Sequence, residues 1–189
     1  MSQAPPAIDT PAAPSPLASL PARYWTLNAS HALIDVFPIF FVTLMLPLKR
    51  NLGLTDWQVT FVYMATPIFS GLCQPLLAWL SDKHDTRLTG PVGLAMGGVC
   101  VASIGFAQDF WQLIALQIVG VVGTGMYHPV ATATAAQLGA GFLRNGRAQA
   151  IGIFIACGMI GQTLGSIYAP RINEHFGSMK PLALLMVPA

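Results

Sequence analysis

The chain has 189 residues, of which 54% are hydrophobic and only 8% are charged, and its mean hydropathy is +0.61. Soluble domains carry about 25% charged residues, so this composition excludes an ordinary soluble protein. Nine Lys and Arg against seven Asp and Glu give a net charge of +2, and their scattered positions form no basic stripe, which excludes a nucleic-acid partner.

The first 22 residues differ in composition from the rest of the chain. They contain six prolines and no apolar core segment. This composition predicts a disordered tail over residues 1–22 rather than a signal peptide, and the first apolar run after it is too long for one. The chain is therefore expected to divide into this tail and a membrane region over residues 23–189.

Five apolar segments are long enough to cross a bilayer as helices, which takes about 20 residues. The sequence predicts spans over residues 24–48, 57–80, 88–107, 110–138 and 148–170, and the short connectors force neighbouring spans to run antiparallel. A sixth apolar segment starts at residue 180 and is too short to cross. We therefore expect an all-α membrane protein, a helical half-bundle with five complete transmembrane helices and a truncated sixth, and a chain that is a fragment.

Small residues recur at helical spacing in the fifth predicted span. Cys157, Gly161, Gly165 and Ala169 follow one another at steps of four residues, so they share one face of the helix. In lipid, small residues at this spacing let two helix backbones approach closely. We expect Gly161 and Gly165 to pack against a neighbouring helix.

The sequence contains no recognisable catalytic site. Its three cysteines are far apart, each lies in an apolar run, and none has a second Cys or His at metal-ligand spacing. No nucleophile, metal cluster or phosphate-binding loop occurs at a usable spacing. We expect no enzyme activity, no bound metal and no cofactor.

Two polar residues interrupt the first predicted span. His31 and Asp35 in "SHALID" are four residues apart and share a helix face. An ionised carboxylate in mid-membrane costs about 2.5–3.5 kcal/mol on insertion scales, so Asp35 should face the bundle interior or a wet cavity, where it can hold a proton. Asp35 is either a proton or substrate site or a carboxylate satisfied by a neighbouring helix. His31 either orients Asp35 or lies at the membrane interface.

Polar residues also stand beside prolines in the fourth and second spans. Pro129 has no N–H, so the carbonyl of Gly125 loses its helical partner, and we expect the fourth span to bend there. The ring of His128 is available to bond the freed carbonyls, carry a proton, bind a substrate or simply pack. Gln74 and Pro75 repeat this pattern in the second span. Interrupted helices of this kind are typical of secondary transporters.

Three stretches carry a resemblance to a known family: "SHALID" in the first span, "QPLLAWLSDK" leading out of the second, and "GTGMYHPVA" in the fourth. They resemble the major facilitator superfamily, and within it the fosmidomycin-resistance-like efflux branch, from residue 24 to the end of the chain. The resemblance implies the N-terminal six-helix bundle of a transporter with about twelve spans, whose substrate path lies between two halves. It also implies that residues 1–22 are cytoplasmic and that the membrane is the bacterial cytoplasmic (inner) membrane.

The resemblance also assigns a cytoplasmic gate motif to the loop after the second span. The motif falls on "AWLSDKHDTR", where Asp82, Lys83 and Arg87 match the family pattern and Asp85 replaces a glycine. Without the family, this stretch is an ordinary solvated turn. The resemblance therefore implies that Asp82 helps to latch the gate.

A further family feature concerns the start of the fourth span. Drug-efflux relatives often carry an arginine linked to proton coupling there, and Gln117 occupies the corresponding register in this chain. Proton coupling would then depend on Asp35 together with His31 or His128. The expected proton or substrate path comprises Asp35, His31, His128, Gln74 and Gln117.

These features together lead to a function and to two alternatives. The resemblance implies proton-coupled efflux of small organic molecules, with the substrate, protons, the lipid bilayer and a missing C-terminal half as partners. The first alternative is uptake of a small organic acid or sugar by the same fold. The second is a truncated membrane protein that transports nothing.

Overall fold

The computed structural model describes residues 19–83 and 88–186, a region built from helices in which no strand occurs. Two short 3-10 helices, Ser103–Phe106 and Lys180–Met186, accompany seven α-helices. The α-helices in chain order are α1 Leu20–Val36, α2 Phe40–Thr43, α3 Met45–Leu52, α4 Asp56–Lys83, α5 Thr89–Ala102, α6 Phe110–Ala140 and α7 Gly146–Phe176.

Five segments of this region are long and apolar enough to cross a membrane. They are Leu20–Thr43, Asp56–Leu77, Thr89–Phe106, Phe110–Ala140 and Gly146–Phe176. The expectation of an all-α membrane protein with five spanning helices is confirmed. After them, the described part of the predicted sixth segment forms only the short 3-10 helix Lys180–Met186.

The beginning of the first span differs from the prediction. Residues 1–18 of the predicted tail lie outside the described residues, but α1 already begins at Leu20, inside the range assigned to the tail. Pro21 occupies the first turn of α1. A proline fits there because its missing N–H has no helical partner at a helix start and its φ angle is already helical.

The rest of the first span is also not the single helix predicted over residues 24–48. Helix α1 ends at Val36, a turn over residues 37–39 follows, and α2 and α3 continue the path. Pro38 lies in that turn and cannot donate a backbone hydrogen bond to the preceding helical turn. The long apolar run correctly predicted a membrane span, but Pro38 divides this span into shorter helices.

Several helix ends follow local signals in the sequence. The Asp109 side chain accepts a hydrogen bond of 2.9 Å from the backbone N–H of Gln112, which caps the start of α6. Helices α3 and α7 end at Gly53 and Gly177, whose φ angles of 62° and 59° are left-handed. Glycine adopts this conformation without the Cβ clash that other residues suffer, so it ends both helices.

Two clusters of buried apolar side chains hold the helices together. The first joins α1–α3 to α4, α5 and α6, and includes Phe37, Phe40 and Leu113. The second joins α1 to α6 and α7 and includes Tyr24, Ile34, Tyr127, Ala135 and Phe154. In the first span, Ile34 is the last buried member of the second cluster and Phe37 the first buried member of the first cluster, and Asp35 lies between them.

Glycines bring α5 and α6 into backbone contact. A Cβ added to Gly93 would lie 2.6 Å from the carbonyl oxygen of Gly123, and one added to Gly123 would lie 2.6 Å from the backbone nitrogen of Gly97. No side chain fits between the two helices at these positions. This close approach is the packing mode of small residues in membranes, where the contact area between helices replaces the hydrophobic effect.

Glycines also bring α7 into backbone contact with α1. A Cβ on Gly161 would overlap the backbone carbonyl of Ala32, and one on Gly165 would overlap that of Val36. Both glycines are buried. The contact fixes α7 along the half of α1 that carries Asp35.

Large apolar side chains cover much of the outer surface. Leu72 and Leu76 on α4 are 70% and 61% exposed, and Met159 on α7 is 62% exposed. Trp57 and Trp111 stand exposed near the starts of α4 and α6. A surface of this composition matches lipid or another apolar helix rather than water.

Replacement of Gly161 by alanine tests the contact between α7 and α1. We expect Gly161→Ala to destabilise the protein by about 1–3 kcal/mol, because the new Cβ overpacks against the backbone of Ala32. Thermal unfolding of the protein in detergent should show a fall of about 2–4 °C for each kcal/mol.

The matched control is Gly152→Ala in the same helix, where a Cβ meets nothing within 4 Å. This variant should be as stable as the wild type or more so, because alanine favours a helix by about 1 kcal/mol over glycine. Equal melting temperatures for the Gly161 and Gly152 variants would contradict the close contact.

Candidate functional site

The carboxylate of Asp35 is the centre of a polar cluster between three helices. Asp35 lies in the last turn of α1 and is 6% exposed. Its Oδ1 lies 3.0 Å from Nε2 of His128 on α6, and its Oδ2 lies 3.6 Å from Nε2 of His31 on α1. Gln162 on α7 donates a hydrogen bond of 3.2 Å from its side-chain amide to Oδ2. Helices α1, α6 and α7 thus meet at one carboxylate.

The two histidines are held in a defined orientation by backbone carbonyls. Nδ1 of His31 lies 2.8 Å from the carbonyl oxygen of Phe154, and Nδ1 of His128 lies 2.7 Å from that of Thr124. A carbonyl oxygen only accepts hydrogen bonds, so both Nδ1 atoms carry a hydrogen. In the neutral state of either ring, the lone pair then lies on Nε2 and points towards Asp35.

This arrangement requires a proton between His128 and Asp35. A neutral His128 and an ionised Asp35 would place two lone pairs against each other at 3.0 Å, which is repulsive. One additional proton converts the contact into a charge-assisted hydrogen bond, whether it resides on Nε2 or on the carboxyl group. In this geometry, one proton can be held between the two atoms.

His31 is fixed more tightly than His128. Its ring stacks on Phe154, with centroids 3.7 Å apart and planes inclined by 3°, and the residue is only 4% exposed. Gly158, one turn after Phe154 on α7, leaves the space that the ring needs, because a Cβ there would lie 2.5 Å from Cε1 of His31 and 2.6 Å from Oδ2 of Asp35. The small residue on α7 thus permits the approach of His31 and Asp35.

A cavity of about 170 Å³ opens beside the cluster. Its wall combines polar and apolar side chains from α1, α4, α5, α6 and α7, and Asp35 and His128 form part of it. The lining residues are Asp35, Pro38, Phe41, Thr66, Ser70, Gln74, Val101, Gly120, Val121, Thr124, His128 and Gln162. The cavity therefore gives a small molecule or water direct access to the Asp35–His128 pair.

The structure separates the two glutamines that the sequence placed in the transport path. Gln74 lines the cavity, is exposed, and donates from Nε2 to Ser70 Oγ at 3.0 Å. Gln117 is fully buried and does not line the cavity. Its amide donates to the carbonyl of Val62 at 2.7 Å and to Thr66 Oγ1 at 2.9 Å, so it joins α6 to α4.

Neither Pro75 nor Pro129 breaks its helix. Helix α4 continues through Pro75 and α6 continues through Pro129. His128 bonds the carbonyl of Thr124, rather than that of Gly125, which loses its partner to Pro129. Each proline therefore lies within one long helix, and the bends expected at Pro75 and Pro129 stay predictions.

The predicted gate motif is only partly described by the structure. Arg87 lies outside the described residues, as does the side chain of Asp82 within α4. Lys83 is described, and its ammonium group lies 4.2 Å from the centre of the Trp79 ring in a cation–π contact. The gate role of the three residues therefore stays a prediction.

Sequence reasoning missed two residues of the site. Gln162 is a polar residue inside an apolar helix, which is the signal that identified Asp35, but it was not singled out. Gly158 follows directly after Cys157, and the sequence pattern placed Cys157 rather than Gly158 on the small-residue face of α7. Gly158, Gly161, Gly165 and Ala169 are buried, whereas Cys157 is half-buried.

The cluster also has the composition of a metal site. One ligand atom each from His31, Asp35 and His128 lie within 4.8 Å of one another. The sequence predicts no metal site, because His128 is distant from His31 and Asp35 along the chain. The fold supplies the proximity that sequence spacing lacked.

Comparison with known proteins places the chain in a family. The model of the Major Facilitator Superfamily matches residues 30–189. The Fosmidomycin resistance protein of Escherichia coli strain K12 is 26% identical over 152 residues, which cover 80% of this chain and 36% of that protein. The Uncharacterized MFS-type transporter YfnC of Bacillus subtilis strain 168 is 26% identical over 162 residues, which cover 86% of this chain and 36% of that protein.

No solved structure matches the chain significantly. The chain spans about a third of the length of the two curated relatives. The family model, however, covers well over half of the chain and includes every residue of the Asp35 cluster. The chain belongs to the Major Facilitator Superfamily, a family of multi-pass membrane transporters and not of enzymes.

Proposed function

We propose that this chain is the N-terminal part of a proton-coupled transporter that exports small organic molecules across the bacterial cytoplasmic membrane. Family membership supports transport, and the Escherichia coli relative is named for fosmidomycin resistance, which favours export over uptake. The relatives are nearly three times as long as the matched region. A second half-bundle would then complete the substrate path, as in other transporters built from repeated halves.

The observation that carries the proton coupling is the pairing of Asp35 with His128. Both Nδ1 hydrogens of the site face backbone carbonyls, so a proton is needed between His128 Nε2 and Asp35 Oδ1. Loss of that proton leaves an uncompensated charge or a lone-pair repulsion inside the membrane, which is costly. The occupied and empty states therefore differ in free energy, and that difference is available to drive a conformational change.

The location of the pair connects proton exchange with substrate binding. Asp35 and His128 form part of the cavity wall, together with polar groups of Thr66, Ser70 and Gln74. A substrate bound in the cavity would alter the surroundings of the shared proton. Coupling of two ligands requires such a mutual influence on their binding free energies. The apolar part of the wall suits an amphipathic organic molecule.

Three helices would respond to the proton. Asp35 connects α1 with His128 on α6 and Gln162 on α7, so a change in its charge alters contacts on both neighbours at once. The gate motif of Asp82, Lys83 and Arg87 would hold the cytoplasmic side closed in the outward-facing state. Alternating access would then arise from movement of one half-bundle against the other.

Substitution of Asp35 by asparagine tests the proton site. In the full-length protein, Asp35→Asn keeps the shape of the side chain but cannot bind and release a proton, so we expect proton-driven efflux to fall to the level of membranes lacking the transporter. The measurement is substrate movement in inverted membrane vesicles energised by a pH gradient.

The matched control for this change is Asp109→Asn. Asp109 is exposed and caps α6, and asparagine is an equally good N-cap, so efflux should be retained. If the Asp35 variant kept wild-type efflux at equal expression, the proton assignment would be wrong. Accumulation driven in the opposite direction would instead identify an uptake transporter.

Substitution of His128 by glutamine tests the role of His128 in proton binding. His128→Gln can still donate one hydrogen bond to Asp35, but it cannot share a titratable proton. Loss of a charge-assisted hydrogen bond costs about 1.5–3 kcal/mol. Because glutamine does not titrate, we expect efflux to lose most of its pH dependence. Transport rate across a range of pH values is the readout, and His175→Gln at the exposed end of α7 is the control. An unchanged pH profile in His128→Gln would contradict the shared proton.

Gly158→Ala tests whether the close approach of α7 to the cluster matters for transport. The new Cβ would push against Oδ2 of Asp35 and Cε1 of His31, so we expect reduced efflux with a smaller loss of thermal stability than in Gly161→Ala. The reason is that side chains can shift where the backbone of Ala32 cannot. Wild-type efflux in Gly158→Ala, with Gly152→Ala as control, would show that this spacing does not matter.

A further inference from the structure

The same cluster offers a set of ligands for a metal ion. We propose that Nε2 of His31, a carboxylate oxygen of Asp35 and Nε2 of His128 form a binding site for a divalent transition-metal ion of the Zn²⁺ type. Metal binding is a property distinct from transport, and it is measured on the protein in the absence of any substrate. The ion occupies the position of the shared proton, because a ligand atom coordinates a metal only through a free lone pair.

The distances between the ligand atoms suit such an ion. Zn²⁺ binds His nitrogen and carboxylate oxygen at about 2.0–2.2 Å, which places neighbouring ligands of a tetrahedral site about 3.4 Å apart. The two histidine–carboxylate distances involve different oxygens of Asp35: Nε2 of His128 lies 3.0 Å from Oδ1, and Nε2 of His31 lies 3.6 Å from Oδ2. One ligand atom from each of the three residues lies within 4.8 Å of the other two. Small rotations of the side chains therefore close the site.

Both histidines already have the tautomer and orientation of metal ligands. In metal sites the ring nitrogen that does not bind the ion donates its hydrogen to a carbonyl or carboxylate, which fixes the ring. Here the Nδ1 hydrogens of His31 and His128 face the carbonyls of Phe154 and Thr124. Gln162 likewise holds Oδ2 of Asp35 through its amide. The outer shell of a metal site is thus present.

The fourth coordination position would be open. Asp35 and His128 line the cavity, whereas the ring of His31 lies behind them against Phe154. Three protein ligands with a fourth position left for water or substrate is the arrangement of exchangeable Zn²⁺ sites. An ion bound here would reach the cavity and could take a donor atom of a small molecule as its fourth ligand.

The ligand types select among metals. Two imidazoles and one carboxylate suit Zn²⁺, Co²⁺ or Ni²⁺. Mg²⁺ prefers six oxygen ligands in octahedral geometry and retains its water. A transition-metal ion should therefore bind far more tightly than Mg²⁺.

The experiment is titration of the purified protein, carrying no polyhistidine tag, with Zn²⁺ by isothermal calorimetry in detergent. We expect about one Zn²⁺ per chain at this site and no saturable binding of Mg²⁺. His31→Gln, Asp35→Asn and His128→Gln should each weaken Zn²⁺ binding by more than about 100-fold, since each removes a ligand. His175→Gln, a matched substitution outside the cluster, should bind as the wild type does.

Two measurements keep the result decisive. Circular dichroism and size-exclusion chromatography check that each variant is folded. The visible spectrum of Co²⁺ is measured on the unsubstituted wild type, and we expect it to show mixed nitrogen and oxygen ligands with a low coordination number. No Zn²⁺ binding to the wild type, an octahedral Co²⁺ spectrum, or Zn²⁺ binding that persists when all three residues are replaced would overturn the proposal. None of these outcomes depends on proton-driven efflux, so the two proposals fail separately.

Discussion

The need to accommodate one carboxylate inside an apolar bundle governs the organisation of this chain. A buried charge is tolerated in a membrane only when partners surround it, and Asp35 receives partners from α1, α6 and α7. These partners must be close, since hydrogen bonds require about 3 Å. Helix packing around Asp35 is therefore constrained far more strictly than packing at the lipid-facing surface.

Glycines satisfy this constraint. Gly161 and Gly165 let the backbone of α7 touch that of α1, and Gly158 leaves room for His31 and for the carboxylate itself. On the other side, Gly93, Gly97 and Gly123 bring α5 against α6. The glycines of α7 thus contribute to the chemistry of the site as well as to packing, because they set the distance between α7 and α1, which share the polar cluster.

The sequence predicted the broad features of the fold for simple physical reasons. Helices that cross a bilayer need long apolar runs, and such runs are visible without any tertiary information. Asp35, His31 and His128 were identified because polar side chains in apolar helices are costly and need an explanation. The division of the first span was missed, because Pro38 ends a helix here whereas Pro129 does not, and this difference depends on the surrounding helices.

Other features of the site depend on tertiary contacts that periodicity does not encode. Gln117 and Gln74 look alike in sequence, yet one joins α6 to α4 and the other lines the cavity. The hydrogen positions on His31 and His128 are defined by the carbonyls of Phe154 and Thr124, and one of these lies on a different helix. The choice of Gly158 over Cys157 reflects the rotation of α7 about its axis, which a stripe of small residues leaves uncertain by one position.

The early end of α1 has an electrostatic consequence for the site. Asp35 lies one residue before the last residue of this helix, and the carbonyl groups at a helix end concentrate partial negative charge. The helix dipole of α1 therefore opposes the negative charge of its own aspartate, and a positive neighbour relieves both. The interruption of the first span thus increases the free energy gained from a positive group beside Asp35. In a longer α1, the helix end would lie farther from Asp35 and this gain would be smaller.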